Sequence, residues 1–294
     1  MTSNRILVLG SNGQVGKSIK EISEIYSSYS FLFKDRNEID ISDAKSISLI
    51  KDLNINAIIN AAAYTAVDLA ESDASKAWLV NASSPKLIST LCAVQGIPLI
   101  HFSSDYVYDN GKTSPLLESD PCSPKSIYAI SKFEGEQAAL YYNPKTIILR
   151  TSWVYSEFGN NFVKTILKLL HEKPELNVVN DQIGAPTYAG DLASVTLAML
   201  DTILSRARFT DYGIYNYSNE GRISWFDFAA QIAQEMKSKC KIQAVGTRDF
   251  PRPAKRPSYS LFDMTKIKTS FGIKPIAWQE SLGICLKNLS TIVP

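Results

Sequence analysis

Three polar side chains near the middle of the chain, Ser104, Tyr128 and Lys132, have the types and spacing that proton transfer requires. A helix over residues 126–140 would place Tyr128 and Lys132 on one face, one turn apart. A neighbouring ammonium favours the phenolate, which a free tyrosine forms only near about pH 10. Such a tyrosine can protonate a carbonyl oxygen near neutral pH, and the Ser104 hydroxyl could hydrogen-bond the same oxygen. Tyrosine and lysine four residues apart are also common on ordinary helices, so the other motifs must decide.

A glycine-rich turn near the start of the chain predicts a phosphate-binding site. Residues 5–9 form a short apolar run typical of a buried parallel strand, and Gly10, Gly13 and Gly16 follow it. A helix is expected from residue 14 to residue 25, so strand, turn and helix stand in the order of a dinucleotide-binding motif. Unpaired N–H groups at the helix N-terminus would bind a pyrophosphate. The glycine spacing is G-x-x-G-x-x-G, and a plain loop is the alternative.

The next strand, predicted over residues 31–33, ends just before Asp35 and Arg36. An acid at this point would bind the 2′-hydroxyl of NAD, and an arginine would bind the 2′-phosphate of NADP. Because the chain offers both, the preference between NADPH and NADH stays open. A third strand leads into the small residues 61–63, which leave room for a ligand across the strand ends.

Strands and helices alternate as far as Arg150, which predicts an α/β fold with a Rossmann-type doubly wound parallel sheet. The alternation then loosens, and we expect a smaller C-terminal α/β lobe that binds substrate. The dinucleotide-binding domain is predicted to comprise residues 1–152 and a returning helix near 190–205. The substrate-binding lobe is predicted to comprise residues 153–189 and 206–294.

Two irregular segments are candidates for covering the site. Residues 110–123 are polar, contain two prolines and read as a flap-like loop. The proline-rich segment after residue 250 is basic, and Arg252, Lys255 or Arg256 could contact an anionic substrate. A surface loop that holds the chain end is an equally good interpretation of that segment.

Composition limits the function classes. The chain has 294 residues, 45% of them apolar and 20% charged, with a formal net charge of +2. These values indicate a folded core and no nucleic-acid partner. Four widely spaced cysteines and two histidines predict no metal site. No apolar run approaches the roughly 18 residues of a membrane span, and the N-terminus lacks a secretory signal pattern. We therefore expect a cytoplasmic protein with no membrane partner.

Together these motifs resemble the extended short-chain dehydrogenase/reductase superfamily. Within it, the chain is most similar to the dTDP-4-dehydrorhamnose reductases. The blocks that carry this resemblance are NAAAYTAVDLAES, HFSSDYVYDN, SPKSIYAISKFEGE, LRTSWVYSEFGNNF, NDQIGAPT and RPSYSLFDMTK. The resemblance implies reduction of dTDP-4-dehydro-β-L-rhamnose to dTDP-L-rhamnose by hydride transfer from NADPH or NADH. This would be the last step in making dTDP-L-rhamnose, a precursor of cell-surface polysaccharide such as lipopolysaccharide O-antigen.

The resemblance also implies roles for individual residues. Tyr128 would donate the proton, Lys132 would lower its pKa and bind the nicotinamide ribose, and Ser104 would orient the carbonyl. Asp105 and Trp153 would contact the sugar. The cofactor-binding residues implied by the motif and the resemblance are Gly10, Gly13, Gln14, Val15, Gly16, Asp35, Arg36, Asp40, Ile41, Ala62, Ala63, Tyr64, Thr65, Tyr128 and Lys132.

Members of this family are often dimers, so a homodimer is possible. Some use Mg²⁺ held by acidic residues at the dimer interface, but no matching acidic set occurs around Val15 or Gly190, and we predict no metal site. Two other functions stay open. The chain could be a non-catalytic regulatory subunit of the same fold, or a dTDP-4-keto-6-deoxyhexose reductase that gives a different epimer.

Overall fold

The computed structural model describes residues 4–292, and its centre is a parallel sheet of six strands. The strands lie in the spatial order β10-β5-β4-β3-β1-β2, and every neighbouring pair is parallel. Their bounds are Asn4–Leu9 for β1, Tyr29–Lys34 for β2, Ala57–Asn60 for β3, Leu99–Ser104 for β4, Thr146–Thr151 for β5 and Gly213–Tyr217 for β10. The predicted doubly wound fold class is confirmed.

Helices cover both faces of the sheet. They are α1 (Gln14–Ile22), α2 (Ala44–Ser48), α3 (Ala74–Trp78), α4 (Ser84–Gln95), α5 (Ile127–Tyr142), α7 (Ala189–Ser205) and α9 (Thr265–Phe271). Successive strand residues point to opposite faces. Val8 accordingly packs with the core under α1 and α7, and Leu7 packs with the core under α2 and α4. Residues buried on both faces explain the nearly continuous apolar runs that identified these strands.

The C-terminal lobe has small two-stranded sheets. Its strands are β6 (Val154–Tyr155), β7 (Glu175–Val179), β8 (Ile183–Gly184), β9 (Thr187–Tyr188), β11 (Ile223–Ser224) and β12 (Lys241–Val245), and its helices are α6 (Phe162–Glu172), α8 (Trp225–Glu235) and α10 (Trp278–Ile292). A separate core built around Tyr155, Phe228 and Trp278 holds the lobe together.

The predicted division of the chain needs one correction. Residues 213–217 were assigned to the lobe, but they form β10 and pair with β5 at the edge of the main sheet. Helix α9 packs against the same large core through Ile267. The chain therefore returns to the sheet a second time after α7, which the loosened pattern of strands and helices did not reveal. The rest of the domain assignment stays a prediction.

Local capping explains where the key helices begin. The Ser126 hydroxyl accepts a hydrogen bond from the N–H of Ala129 and so fixes the first turn of α5. Asn161 caps α6 in the same way through the N–H of Lys164. Helix α3 stops at Trp78, and a π-helical turn over residues 79–83 continues it. Strand β12 and helices α9 and α10 were not predicted.

Candidate active site

A cavity of about 250 Å³ opens at the carboxyl edge of the sheet, between the ends of β1 and β3. The strand order reverses direction at this point, which is where open α/β sheets bind ligands. Most of the predicted cofactor residues line it. These are Gly10, Gly13, Asp35, Arg36, Asp40, Ile41, Ala62, Ala63 and Tyr64, together with Asn12, Ile39, Ala61, Lys76 and Val80. The other six predicted cofactor residues do not belong to its lining: Gln14, Val15, Gly16, Thr65, Tyr128 and Lys132.

The glycine turn packs too closely to admit side chains. A Cβ on Gly16 would stand 2.3 Å from the carbonyl oxygen of Gly10, and Gly10 itself has a φ of +76°. The first i→i−4 bond of α1 joins the N–H of Lys17 to the oxygen of Gly13 at 2.9 Å. The preceding N–H groups, on residues 14–16, therefore have no carbonyl one turn before them within the helix. This cradle fits a pyrophosphate.

Asp35 and Arg36 differ in how firmly they are held. Asn12 donates a hydrogen bond of 2.7 Å to one Asp35 oxygen, and the N–H of Asn37 donates one of 2.8 Å to the other. The Arg36 guanidinium makes a 3.3 Å ion pair with Asp40, and 65% of its side chain is exposed. The acid is thus fixed in the turn, whereas the arginine can reorient toward a phosphate.

Ser104, Tyr128 and Lys132 meet at the same edge of the sheet and are all buried. Ser104 is the last residue of β4, and α5 carries the other two. The Lys132 ammonium donates a 2.6 Å hydrogen bond to the carbonyl oxygen of Phe102. Burial raises the pKa of Tyr128 to about 12, although a hydrogen bond with Ser104 opposes the shift. Burial also lowers the pKa of Lys132 to about 8, against the opposing charge of Glu136.

The role of Lys132 in lowering the pKa of Tyr128 stays a prediction. In this structure burial dominates the pKa of Tyr128, and the Lys132 ammonium is hydrogen-bonded to the Phe102 carbonyl on the neighbouring strand. Tyr128 is therefore a protonated phenol at neutral pH, which suits it to donate a proton.

Asp105 lies directly beside this group and is 2% exposed. Its Oδ1 accepts a 2.9 Å hydrogen bond from the Ser104 hydroxyl, and within residues 4–292 its Oδ2 has no hydrogen-bond partner. Burial raises the pKa of Asp105 to about 6, even though nearby Ser260 and Ser104 both lower it. A serine hydroxyl carries a single proton, so Ser104 can donate to Asp105 or to Tyr128 but not to both at once.

Trp153 follows β5, whose residue Thr151 pairs with Ser104 across the sheet. Its backbone has a φ of +49°, which is uncommon for a bulky side chain. The indole stacks on Trp225, with ring centroids 3.7 Å apart and planes 14° from parallel. Trp153 thus joins the sheet edge to the lobe, where a sugar-binding wall is expected.

The basic segment after residue 250 is tied down by an ion pair. Arg256 donates hydrogen bonds of 2.5 and 2.8 Å to the two oxygens of Asp68, which follows β3. Lys255 makes only a long 3.7 Å pair with Asp109, and the Arg252 guanidinium lies 4.6 Å from the Phe250 ring. Of the three predicted anion contacts, Arg256 has the shortest contacts within the protein.

Two amide side chains that sequence reasoning missed join separate parts of the site. The Asn81 side chain, in the π turn, accepts a hydrogen bond from the N–H of Tyr64 and donates to Ser131 Oγ at 3.2 Å. The Asn161 side chain donates to the amide oxygen of Gln14 at 2.9 Å, so the lobe contacts the glycine turn. In the sequence, only the unusual FGNNF motif pointed to the contact of Asn161 with Gln14. No local pattern pointed to the contacts of Asn81.

The structure shows no other strong candidate for the chemistry. Across residues 4–292, no group of three or more histidine, cysteine or acidic side chains is arranged to hold a metal ion. The same residues contain no helix both long and apolar enough to span a bilayer. A cavity of about 440 Å³ near Gly96 and Tyr212 contains none of the predicted site residues.

Comparison with known proteins identifies the family. The family model described as the RmlD substrate binding domain matches residues 4–291. A dTDP-4-dehydrorhamnose reductase from Aggregatibacter actinomycetemcomitans is 41% identical over 95% of this chain and 97% of its own length.

Solved structures agree. The Clostridium acetobutylicum dTDP-4-dehydrorhamnose reductase aligns with a TM-score of 0.91 at 35% identity, over 97% of this chain and 99% of its own. A Bacillus anthracis dTDP-4-dehydrorhamnose reductase, solved in complex with NADP, aligns with a TM-score of 0.90 at 33% identity, over 98% of this chain and all of its own. With this fold, this site and matches over nearly its whole length, the chain belongs to the dTDP-4-dehydrorhamnose reductase family.

Proposed function

We propose that the protein reduces dTDP-4-dehydro-β-L-rhamnose to dTDP-L-rhamnose with NADPH or NADH. The observation that carries this proposal is the placement of Ser104, Tyr128 and Lys132 at the same sheet edge as the glycine cradle. Family membership supports the substrate class, and the NADP complex of the Bacillus anthracis relative supports the cofactor.

The cofactor would lie across the carboxyl edge of the sheet. Its pyrophosphate fits the N–H groups of Gln14, Val15 and Gly16, and its adenosine fits the cavity beside Asp40 and Ile41. Arg36 is the side chain available to a 2′-phosphate, while Asp35 is held where a 2′-hydroxyl would be bound. Both cofactor forms are therefore compatible with the turn.

The reduced nicotinamide, when bound, supplies the hydride that C4 of the sugar receives. Tyr128 remains protonated at neutral pH and gives its proton to the C4 oxygen, so the carbonyl becomes an alcohol. Lys132 is charged below about pH 8, and its ammonium stabilises the phenolate that this donation leaves behind.

Asp105 would control the hydroxyl of Ser104. A sugar hydroxyl that donates to the unpartnered Oδ2 satisfies the carboxylate, and Ser104 can then turn its single proton toward the C4 oxygen. Trp153, stacked on Trp225, would provide an apolar wall for the sugar. Substrate binding and carbonyl polarisation would then be coupled through one carboxylate.

The test is loss of NADPH absorbance after addition of the dTDP-4-keto sugar, followed by NMR of the product. The proposal expects turnover and the L-rhamno configuration at C4. Turnover that gives the other C4 epimer would assign the chain to the alternative reductase. Cofactor binding without any turnover would favour a regulatory subunit.

We also propose that the protein acts as a homodimer in the cytoplasm, where nucleotide sugars and NADPH meet. Family resemblance supports the dimer, and sedimentation equilibrium measures it directly. A monomer at micromolar concentration would contradict that part of the proposal.

A further inference from the structure

A fully buried ion pair lies behind the proposed catalytic lysine. Arg150 on β5 and Glu136 on α5 have side chains 1% and 0% exposed. The guanidinium donates to the carboxylate through Nε at 2.9 Å and through Nη2 at 2.6 Å. Removing two charges from water costs several kcal/mol each, and apolar residues of equal size often stabilise a core better. Stability alone therefore does not explain why the chain buries an ion pair here.

The position of the ion pair next to Lys132 offers an explanation. Glu136 follows Lys132 by four residues on α5, so the carboxylate lies one helical turn from the ammonium. Arg150 pairs with Ser103 across the sheet, one residue beyond Phe102, whose carbonyl accepts the Lys132 hydrogen bond. The ion pair thus borders Lys132 from its own helix and from the adjacent strand.

The charged and titratable neighbours of Lys132 are few. On α5 they are Tyr128 and Glu136, and on β5 there is Arg150, the partner of Glu136. On β4 the buried His101 has a pKa held well below its ordinary value by burial and by Lys132. The first turn after β4 contributes Asp105, which bonds to Ser104. Glu136 is the neighbour whose charge opposes the effect of burial on Lys132.

Arg150 is itself firmly placed. Its guanidinium lies 4.6 Å from the ring centre of Tyr108 and donates to the thiol of Cys122 at 3.4 Å. Tyr108 in turn donates to Asn216 at 2.9 Å. A cation fixed on three sides keeps the Glu136 carboxylate in one orientation.

We infer that Glu136 is a positioning residue for the proposed reaction, holding the buried Lys132 as a charged ammonium, and that Arg150 anchors Glu136. The inference rests on the proposed function because it assigns the ammonium a task at the cofactor ribose and at the phenolate. A neutral amine would lose that charge and with it the stabilisation of the Tyr128 phenolate.

The test is the pH dependence of NADPH binding, followed by fluorescence, and of kcat in Glu136→Gln. Without the carboxylate, Lys132 loses its proton at lower pH, because burial is no longer opposed. In the wild type, binding should weaken above about pH 8 as Lys132 deprotonates. In E136Q we expect this weakening to begin about one pH unit lower, giving binding roughly fivefold weaker at pH 8, approaching about tenfold at higher pH, and nearly unchanged at pH 6. A merely structural role predicts a uniform loss with an unmoved pH profile.

Two further variants serve as controls for misfolding of E136Q. E136Q leaves Arg150 buried without its partner, whereas Glu136→Met with Arg150→Met removes both charges and keeps an apolar core. The double variant should keep the shifted profile, and Glu136→Asp should restore the wild-type profile. The inference would be overturned if the double variant had the wild-type pH profile of NADPH binding. It would also be overturned if the profile of E136D were shifted as far as that of E136Q. Failure of the wild type to bind NADPH at any pH would instead refute the proposed function.

Discussion

The proposed cofactor side and the proposed sugar side of this site are built in different ways. The cofactor cavity is made by short segments that directly follow strands, such as the turn after β1 and the small residues after β3. The sugar side depends on contacts between distant parts of the chain, such as Arg256 with Asp68 and Trp153 with Trp225. The first kind of site is set by local backbone geometry, and the second exists only after the lobe has packed.

The same contrast predicts how each side should respond to change. A substitution on the cofactor side should alter dinucleotide affinity, because in the proposed function the turn would bind the dinucleotide through backbone groups. A substitution on the sugar side should alter the KM for the sugar and leave dinucleotide affinity alone. Tyr128 lies between the two sides and should affect chemistry alone.

The largest effect is expected from Tyr128→Phe. Removing the phenol proton should lower kcat by about 10²–10⁴-fold, because general acid catalysis contributes that much. NADPH affinity should change less than about threefold. Stopped-flow turnover and a fluorescence titration measure the two quantities. Tyr106→Phe is the matched control, since this ring packs edge-on against Tyr128 at 5.4 Å. Equal activity in Y128F and Y106F would remove the acid role of Tyr128.

The second-largest effect is expected from Gly16→Ala, which should weaken NADPH binding on the cofactor side. The added methyl would lie 2.3 Å from the Gly10 carbonyl, so the turn must shift. Overpacking of this kind costs about 1–3 kcal/mol, and we expect NADPH binding to weaken by about 10–100-fold. Gly283→Ala is the control, because nothing lies within 4 Å of that site in α10. Calorimetric titration that finds unchanged NADPH affinity in G16A would contradict the proposed phosphate cradle.

On the sugar side, Asp105→Asn should have opposite effects on stability and on turnover. The folded protein holds the pKa of this carboxyl near 6, against an ordinary value of 3.8. Between those pH values the folded state keeps a proton that the unfolded state releases, so stability falls as pH rises through this window. Above about pH 6 the cost amounts to about 3 kcal/mol.

We therefore expect D105N to gain stability relative to the wild type at pH 7.5 but not at pH 4, and to lose turnover. Urea unfolding at the two pH values measures the difference. Asp52→Asn changes an exposed carboxyl and should show no such pattern. An equal stability difference at both pH values would rule out ionisation of Asp105 as the cause.

The smallest effect is expected from Arg256→Ala. Loss of the partly exposed pair with Asp68 should loosen the segment after residue 250 and raise the KM for the sugar by about 3–10-fold. NADPH affinity and kcat should stay within about twofold. Steady-state kinetics measure this, with the exposed Arg222→Ala as control. Weaker NADPH binding in R256A would show that the two sides are not independent.

The sequence indicated most of the sheet because strands buried on both faces are continuous apolar runs, as in residues 5–9 and 146–150. It also indicated the groups at the strand ends, because turn chemistry is local. It did not reveal β10 as a sheet strand or the partners of Arg256, since both depend on packing between segments far apart in the chain. The effect of burial on the pKa of Tyr128 was not predictable for the same reason, because the extent of burial is a property of the whole fold.

The π-helical turn at residues 79–83 has a mechanical consequence. The Asn81 side chain is buried there, and its carboxamide hydrogen-bonds both to the loop that carries Tyr64 and to the helix that carries Ser131, next to Lys132. In the proposed reaction, the Asn81 side chain would position both a dinucleotide bound against that loop and Tyr128, the proposed acid, on that helix. The folding of the chain would then set the distance between cofactor and acid before any substrate binds.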